Sequence, residues 1–267
     1  MVRWRKGRRS SNIDDRRGQR SPGRGGRGGV KLSGGVLILA LLGALIFGKN
    51  PLELLQLLGG GAAPSAQVES SPGAQPNDEA GEFVSVILAS TEDVWSRLFQ
   101  QSGSRYRPPT LVLFTDVVQS ACGVNSAATG PFYCPADQQV YMDLGFMRQL
   151  QQLGARGDFP MAYVVAHEVG HHIQTLTGTS QRVTQMQRQT RSQADRNALS
   201  VRLELQADCF AGVWAHYADE DYNLLEAGDI QEGLDAAAAI GDDRLQQRSG
   251  RAASRETFTH GSSRERM

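Results

Sequence analysis

The sequence has no internal repeat, no net charge, few aromatic residues and an odd number of cysteines. The missing repeat rules out a solenoid or propeller array. Aromatics are 7% of the 267 residues, so any core leans on aliphatic side chains. Zero net charge, from 28 Lys and Arg against 28 Asp and Glu, argues against a uniformly basic nucleic-acid binder, but it averages over an uneven chain. Residues 1–31 carry eleven Lys and Arg against two Asp, and the remainder is acidic on balance. Of the three cysteines, Cys122 and Cys134 are close enough in sequence to pair in an oxidising compartment, around Gly123, Gly130 and Pro131. Cys209 is then left over.

The residues after the basic stretch decide its meaning. From 32 to 48 every residue but Ser33 is apolar or small, a run of 17 residues. As a helix it would reach about 26 Å, close to the hydrocarbon thickness of a bilayer. Lys49-Asn50-Pro51 comes next instead of a small-residue cleavage site, which favours an uncleaved anchor over a signal peptide. The positive-inside rule places the Arg-rich end in the cytoplasm and the bulk outside. The expected organisation is therefore a disordered basic cytoplasmic tail at 1–31 and a transmembrane anchor at 32–48. A Gly/Ala/Pro/Ser-rich linker at 49–81 leads to a folded domain at 82–267. The expected localisation is the bacterial inner membrane, single-pass, with the domain periplasmic. Membrane contact is through 32–48, and no nucleic acid is expected.

Inside the domain, Ser90 and Asp93 read as a helix cap ahead of Val94, Trp95, Leu98 and Phe99. Thr110 to Thr115 and Gln139 to Met142 read as strands. Val140 and Tyr141 are equally consistent with a peptide-binding edge strand or an internal one. Asp143 precedes a helix ending at Gly154, and Asp158-Phe159-Pro160 opens another that runs to about Gly178. Residues 181–196 are too polar to place. A further helix starts near Asn197, and another starts near Asp229, where Asp229 and Glu232 suit a capping box, and stops near Gly241.

The chemistry lies in His167-Glu168-Val169-Gly170-His171. Two histidines four apart on a helix share a face and can bind one zinc ion. Glu168, turned about 100° from His167, can serve as general base to a metal-activated water and then as acid to the leaving amine. The apolar run Ala162 to Ala166 makes the helix buried, an expensive place for such residues without a ligand. Gln174 and Thr177 stand where a metzincin would have glycine and histidine, so the third ligand lies elsewhere. Glu204-Leu205-Gln206-Ala207-Asp208 offers Glu204 as that ligand, with Asp208 behind it accepting a hydrogen bond from a ligand histidine. His172 lies off the metal face, and His216, beside Trp214 and Tyr217, reads as a core or rim residue.

HEVGHHIQ, ELQADCFAGVWA, GDIQEGLDAAAAIGDDRLQ and FTHGSS, in that order, resemble the bacterial neutral zinc metallopeptidases of the YpfJ-like type, as does ACGVNSAATGPFYCPADQQVYMDL upstream. The resemblance runs from about Glu82 to the end. It implies a gluzincin-type site with one zinc on His167, His171 and Glu204, acting on a peptide or protein substrate. The implied fold is α+β, a helix-rich zincin-like domain with a small sheet, behind one N-terminal transmembrane helix. The resemblance also implies that His260 or Arg266 stabilises the oxyanion opposite zinc. In addition it implies a longer C-terminal stretch with a further cysteine, so the domain reads as shortened. The rival from another class is a catalytically inactive protein in which zinc ties two helices together, for structural or regulatory ends. Glu168 speaks against it, since a structural site has no use for that carboxylate.

Overall fold

The computed structural model describes residues 1–18 and 74–267. The expected span at 32–48 and most of the expected linker lie outside these residues. Among the described residues no helix is long and apolar enough to cross a membrane.

The architecture is helix-rich α+β with a small sheet. Strands β1 (Ile13–Asp15), β2 (Thr110–Leu113), β5 (Phe132–Cys134) and β6 (Gln139–Met142) form one sheet in the order β1-β2-β6-β5. β1, β2 and β6 run parallel, and β5 is antiparallel to β6 at the edge. Val140 and Tyr141 are therefore internal, and among the described residues the edge strands are β1 and β5, of which β5 lies beside β6. A hairpin of β3 (Val117–Ser120) and β4 (Gly123–Ser126) forms a second sheet. The Cys122–Cys134 disulfide, with Cα atoms 5.9 Å apart, ties the hairpin turn to β5.

The helices are α1 (Glu79–Gln101), α2 (Phe146–Gln152), α3 (Phe159–Leu176), α4 (Thr179–Gln189), α5 (Gln193–Tyr222), α6 (Asp229–Ala239), α7 (Asp242–Arg248) and α8 (Ser263–Arg266). α1 starts where the Asp78 carboxylate accepts the Gly81 N–H, and it runs straight through Ser90. The cap expected at Ser90 does not form because the helix has already started at Asp78 and Ser90 lies in its middle, where its Oγ accepts the indole N–H of buried Trp214 on α5 at 3.1 Å. α3 begins and ends as the sequence suggests, with Pro160 in its first turn and Gly178 at φ +76° after its end. α6 starts at Asp229, but Gly228 is the cap and the Asp229 carboxylate instead accepts the Glu226 N–H. The reciprocal capping box forms at α8, between Ser262 and Glu265.

The largest correction concerns the N-terminus. Residues 1–18 are not a disordered tail. Val2, Trp4 and Ile13 are buried in the main core, and Trp4 meets Phe83 of α1 edge-on at 5.6 Å. The arginines that read as a topology signal are paired instead, Arg8 with Glu92 and Asp93, Arg9 with Glu82, and Arg17 with Asp78. The domain therefore does not begin near Glu82.

α3 is buried over most of its length, against α1, α5 and α6. It meets the backbone of α5 at Gly170. A Cβ built there would lie 3.0 Å from the Ala207 carbonyl oxygen. The missing side chain lets the two backbones approach, and that approach sets the site.

Candidate metal centre and cleft

His167 and His171 stand one turn apart on α3, ring centroids 4.8 Å apart. From α5, the Glu204 carboxylate lies 3.3 Å from His167 Nε2 and 3.5 Å from His171 Nε2. One donor atom of each of the three lies within 4.8 Å of the others.

The other ring nitrogens fix the tautomers. His167 Nδ1 is 2.7 Å from Asp208 Oδ1, and a carboxylate only accepts, so Nδ1 carries the proton. His171 Nδ1 lies 2.9 Å from Gln174 Oε1, whose amide nitrogen donates to the Leu203 carbonyl at 2.6 Å. Both Nε2 lone pairs are thereby aimed at Glu204. Two lone pairs and a carboxylate at this range repel unless a cation sits among them. Two imidazoles and one carboxylate suit zinc. Burial would push the His167 pKa down, but Asp208 and Glu204 outweigh it and push it up to about 10. Burial would likewise raise the Glu204 and Asp208 carboxyls, yet their histidine partners, and Arg266 for Asp208, hold both well below the usual carboxylate range.

Asp208 is itself anchored. Arg266 Nε and Nη2 each donate to it at 3.0 Å, and the Tyr163 hydroxyl donates at 2.5 Å. Arg266 is 5% exposed, and Nη2 also reaches the Tyr163 oxygen at 3.1 Å. Two of its three guanidinium nitrogens are thus engaged in holding Asp208. That differs from the oxyanion role implied for it by resemblance.

The donors open onto a cleft of about 590 Å³. Glu168, 7% exposed and next to His167, lines it, and so does His260. β5 contributes Phe132 and Tyr133, and Phe146, Leu203, Ile240 and Leu245 add apolar surface. His260 sits in a loop gathered by one carboxylate. The N–H groups of Thr259, His260 and Gly261 all donate to Asp242 Oδ2, at 2.7, 2.6 and 3.0 Å. The ring Nδ1 lies 3.4 Å from Asp242 Oδ1, and this partner raises the His260 pKa.

His172 points away from the donors. Its Nε2 donates to the Arg107 carbonyl at 2.6 Å, so Nδ1 accepts the Tyr133 hydroxyl at 3.1 Å. It thereby ties α3 to edge strand β5. His216 is not in the core but an exposed residue at the rim of a second cavity, 3.8 Å from Glu220. Cys209 is free and exposed. Tyr133, Tyr163, Gln174 and Asp242 escaped the sequence reading. Tyr163 and Gln174 left a signal, at four before His167 and three after His171 on the same helix, whereas Asp242 meets its loop only through the fold.

This combination of a buried H-E-x-x-H helix, a carboxylate from a second helix and an open cleft defines the zinc peptidase class. The family model described as "Putative neutral zinc metallopeptidase" matches residues 2–267, and the chain belongs to that family. The uncharacterised protein YpfJ of Escherichia coli strain K12 is 46% identical over 268 residues, covering 99% of this chain and 92% of its own. The uncharacterised protein Rv2575 of Mycobacterium tuberculosis is 40% identical over 200 residues, covering 71% of this chain and 66% of its own. No solved structure matches the chain.

Proposed function

We propose that the chain is a gluzincin-type endopeptidase holding one zinc ion on His167, His171 and Glu204. The observation that carries this reading is the convergence of three donors, with no fourth among the described residues, on the wall of an open cleft with Glu168 beside them. A purely structural zinc site usually closes with a fourth protein ligand. When bound, zinc supplies a Lewis acid that brings water to nucleophilic strength near neutral pH and polarises a carbonyl. Glu168 takes the proton of the attacking water and returns it to the leaving nitrogen. His260, held by Asp242, donates to the negative charge developing on the carbonyl oxygen. An extended substrate pairs by its backbone with the open side of β5, and the apolar lining takes an apolar side chain next to the scissile bond.

The Cys122–Cys134 disulfide supports work in an oxidising, extracytoplasmic compartment. Membrane association through 32–48 is part of the same proposal. The test is zinc content and cleavage of an unfolded protein by the full-length chain beside Glu168→Gln. The expected result is about one zinc per chain in both, with cleavage by the parent alone and a loss of at least ~100-fold in the variant. Equal zinc with cleavage by neither favours the structural reading.

A further inference from the structure

The N-terminal segment bears on how this protein meets a membrane, independently of its activity. Its attachment to the domain is built from the interior outward. β1 pairs in parallel with β2, Ile13 opposite Leu111 and Asp15 opposite Leu113, and Ile13 is 1% exposed. The Glu92 carboxylate on α1 is 6% exposed, and its partners come from this segment. Ser10 Oγ donates at 2.5 Å, Asn12 Nδ2 at 2.8 Å and Arg8 Nη2 at 2.8 Å. Without the segment a carboxylate placed in the core would lose those partners. Gly7 packs so closely on Val86 of α1 that a Cβ would come within 2.4 Å. The half-exposed arginine pairs add little each, but they neutralise charges that a positive-inside signal would need free.

The segment also returns to where it left. The Asp15 N–H donates to the Ala74 carbonyl at 2.8 Å, so the chain on either side of residues 19–73 meets in one folded body. A chain that departs from and returns to one body crosses a membrane an even number of times. Two full crossings need about 40 apolar residues. Residues 19–73 offer one apolar run of 17, and the leucines at 52–58 are interrupted by Glu53 and Gln56.

We infer that residues 1–18 and the zinc-binding domain lie on the same side of any membrane the chain meets. This inference differs from the single-pass topology expected from the sequence, with a cytoplasmic N-terminus and an exported domain. If the domain is exported, so is its basic N-terminal strand.

The test uses the full-length chain in intact cells, in a Cys209→Ser background, with an epitope at the N-terminus. Arg9→Cys and Glu82→Cys replace a surface ion pair 2.6 Å apart, and a protease site is inserted near residue 26. A short membrane-permeant bis-maleimide is added before lysis. The expected result is a cross-link that keeps the two fragments together on a denaturing gel after cleavage, absent from each single-cysteine control. In spheroplasts the epitope and the domain should be digested together or protected together. Opposite protection of epitope and domain, or failure of the pair to cross-link, would overturn the inference.

Discussion

Gly170→Ala tests whether the α3–α5 approach sets the metal site. The added Cβ would sit 3.0 Å from the Ala207 carbonyl oxygen, 3.1 Å from its Cα and 3.3 Å from its Cβ. Comfortable carbon contacts begin near 3.5 Å, so the helices must part by about 0.5 Å. Ala207 lies between Glu204 and Asp208, and both move with it. Metal–ligand distances tolerate only about 0.2 Å, so the displacement is too large to absorb without strain. Helix propensity favours alanine by about 1 kcal/mol, and overpacking costs about 1–3 kcal/mol. The metal-free variant should therefore range from unchanged to about 2 kcal/mol less stable. Zinc affinity should fall by ~10–100-fold, as when a ligand's supporting partner is lost. Gly212→Ala, also on α5, is the control. Nothing lies within 4 Å of its Cβ, so it should gain about 1 kcal/mol with zinc affinity unchanged. Chelator competition and denaturant melts of the metal-free proteins read both quantities. A Gly170→Ala protein that gains stability and binds zinc as tightly as the parent would refute the argument.

Three further outcomes are expected. Asp208→Ala releases the His167 ring and leaves buried Arg266 without its carboxylate, so chelator competition should show a ~10–100-fold loss of zinc affinity and melts a loss of about 3 kcal/mol. Tyr133→Phe removes the bond that hangs β5 on His172, so steady-state kinetics should show KM up by ~3–10-fold with zinc content and kcat little changed. Asp242 raises the His260 pKa above its ordinary value, so the protonated ring is present at low pH and lost as pH rises through that raised value. Asp242→Asn should therefore move the alkaline limb of the kcat/KM profile to lower pH, and an unmoved limb would remove His260 from the reaction.

The parts legible in the sequence are those whose physics is local. Start, stop and burial of α3 follow from Asp158-Phe159-Pro160, the apolar run and Gly178, and the histidine pair follows from a spacing of four on that helix. Glu204 and Asp208 were legible because they share one turn amid apolar neighbours. What escaped depends on partners far away in sequence. Arg8 reads as part of a basic tail because Glu92 lies 84 residues on, and Ile13 reads as part of the same disordered tail because Leu111 completes its ladder. Whether Val140 sits inside or at the edge of a sheet depends on β2 and β5 together, which no local pattern records. Ser90 reads as a cap, but the helix starts twelve residues earlier at Asp78, and the Ser90 hydroxyl serves Trp214, 124 residues away.

The same distinction explains how the centre is held. The H-E-x-x-H spacing brings the two imidazoles to one face but leaves their rotation free. Rotation is fixed by Asp208 and Gln174, and Asp208 is fixed by Tyr163 on α3 and by Arg266 on α8. Each of these bonds is made between the chain's own residues, so much of the entropy of aligning the donors is lost on folding instead of on binding. Glu204 faces two ring nitrogens across 3.3 and 3.5 Å, an arrangement that favours a positive charge among them. A cluster kept in this state by four outer residues is tuned to accept a cation, and the chain maintains it with contacts drawn from α3, α5 and its final helix together.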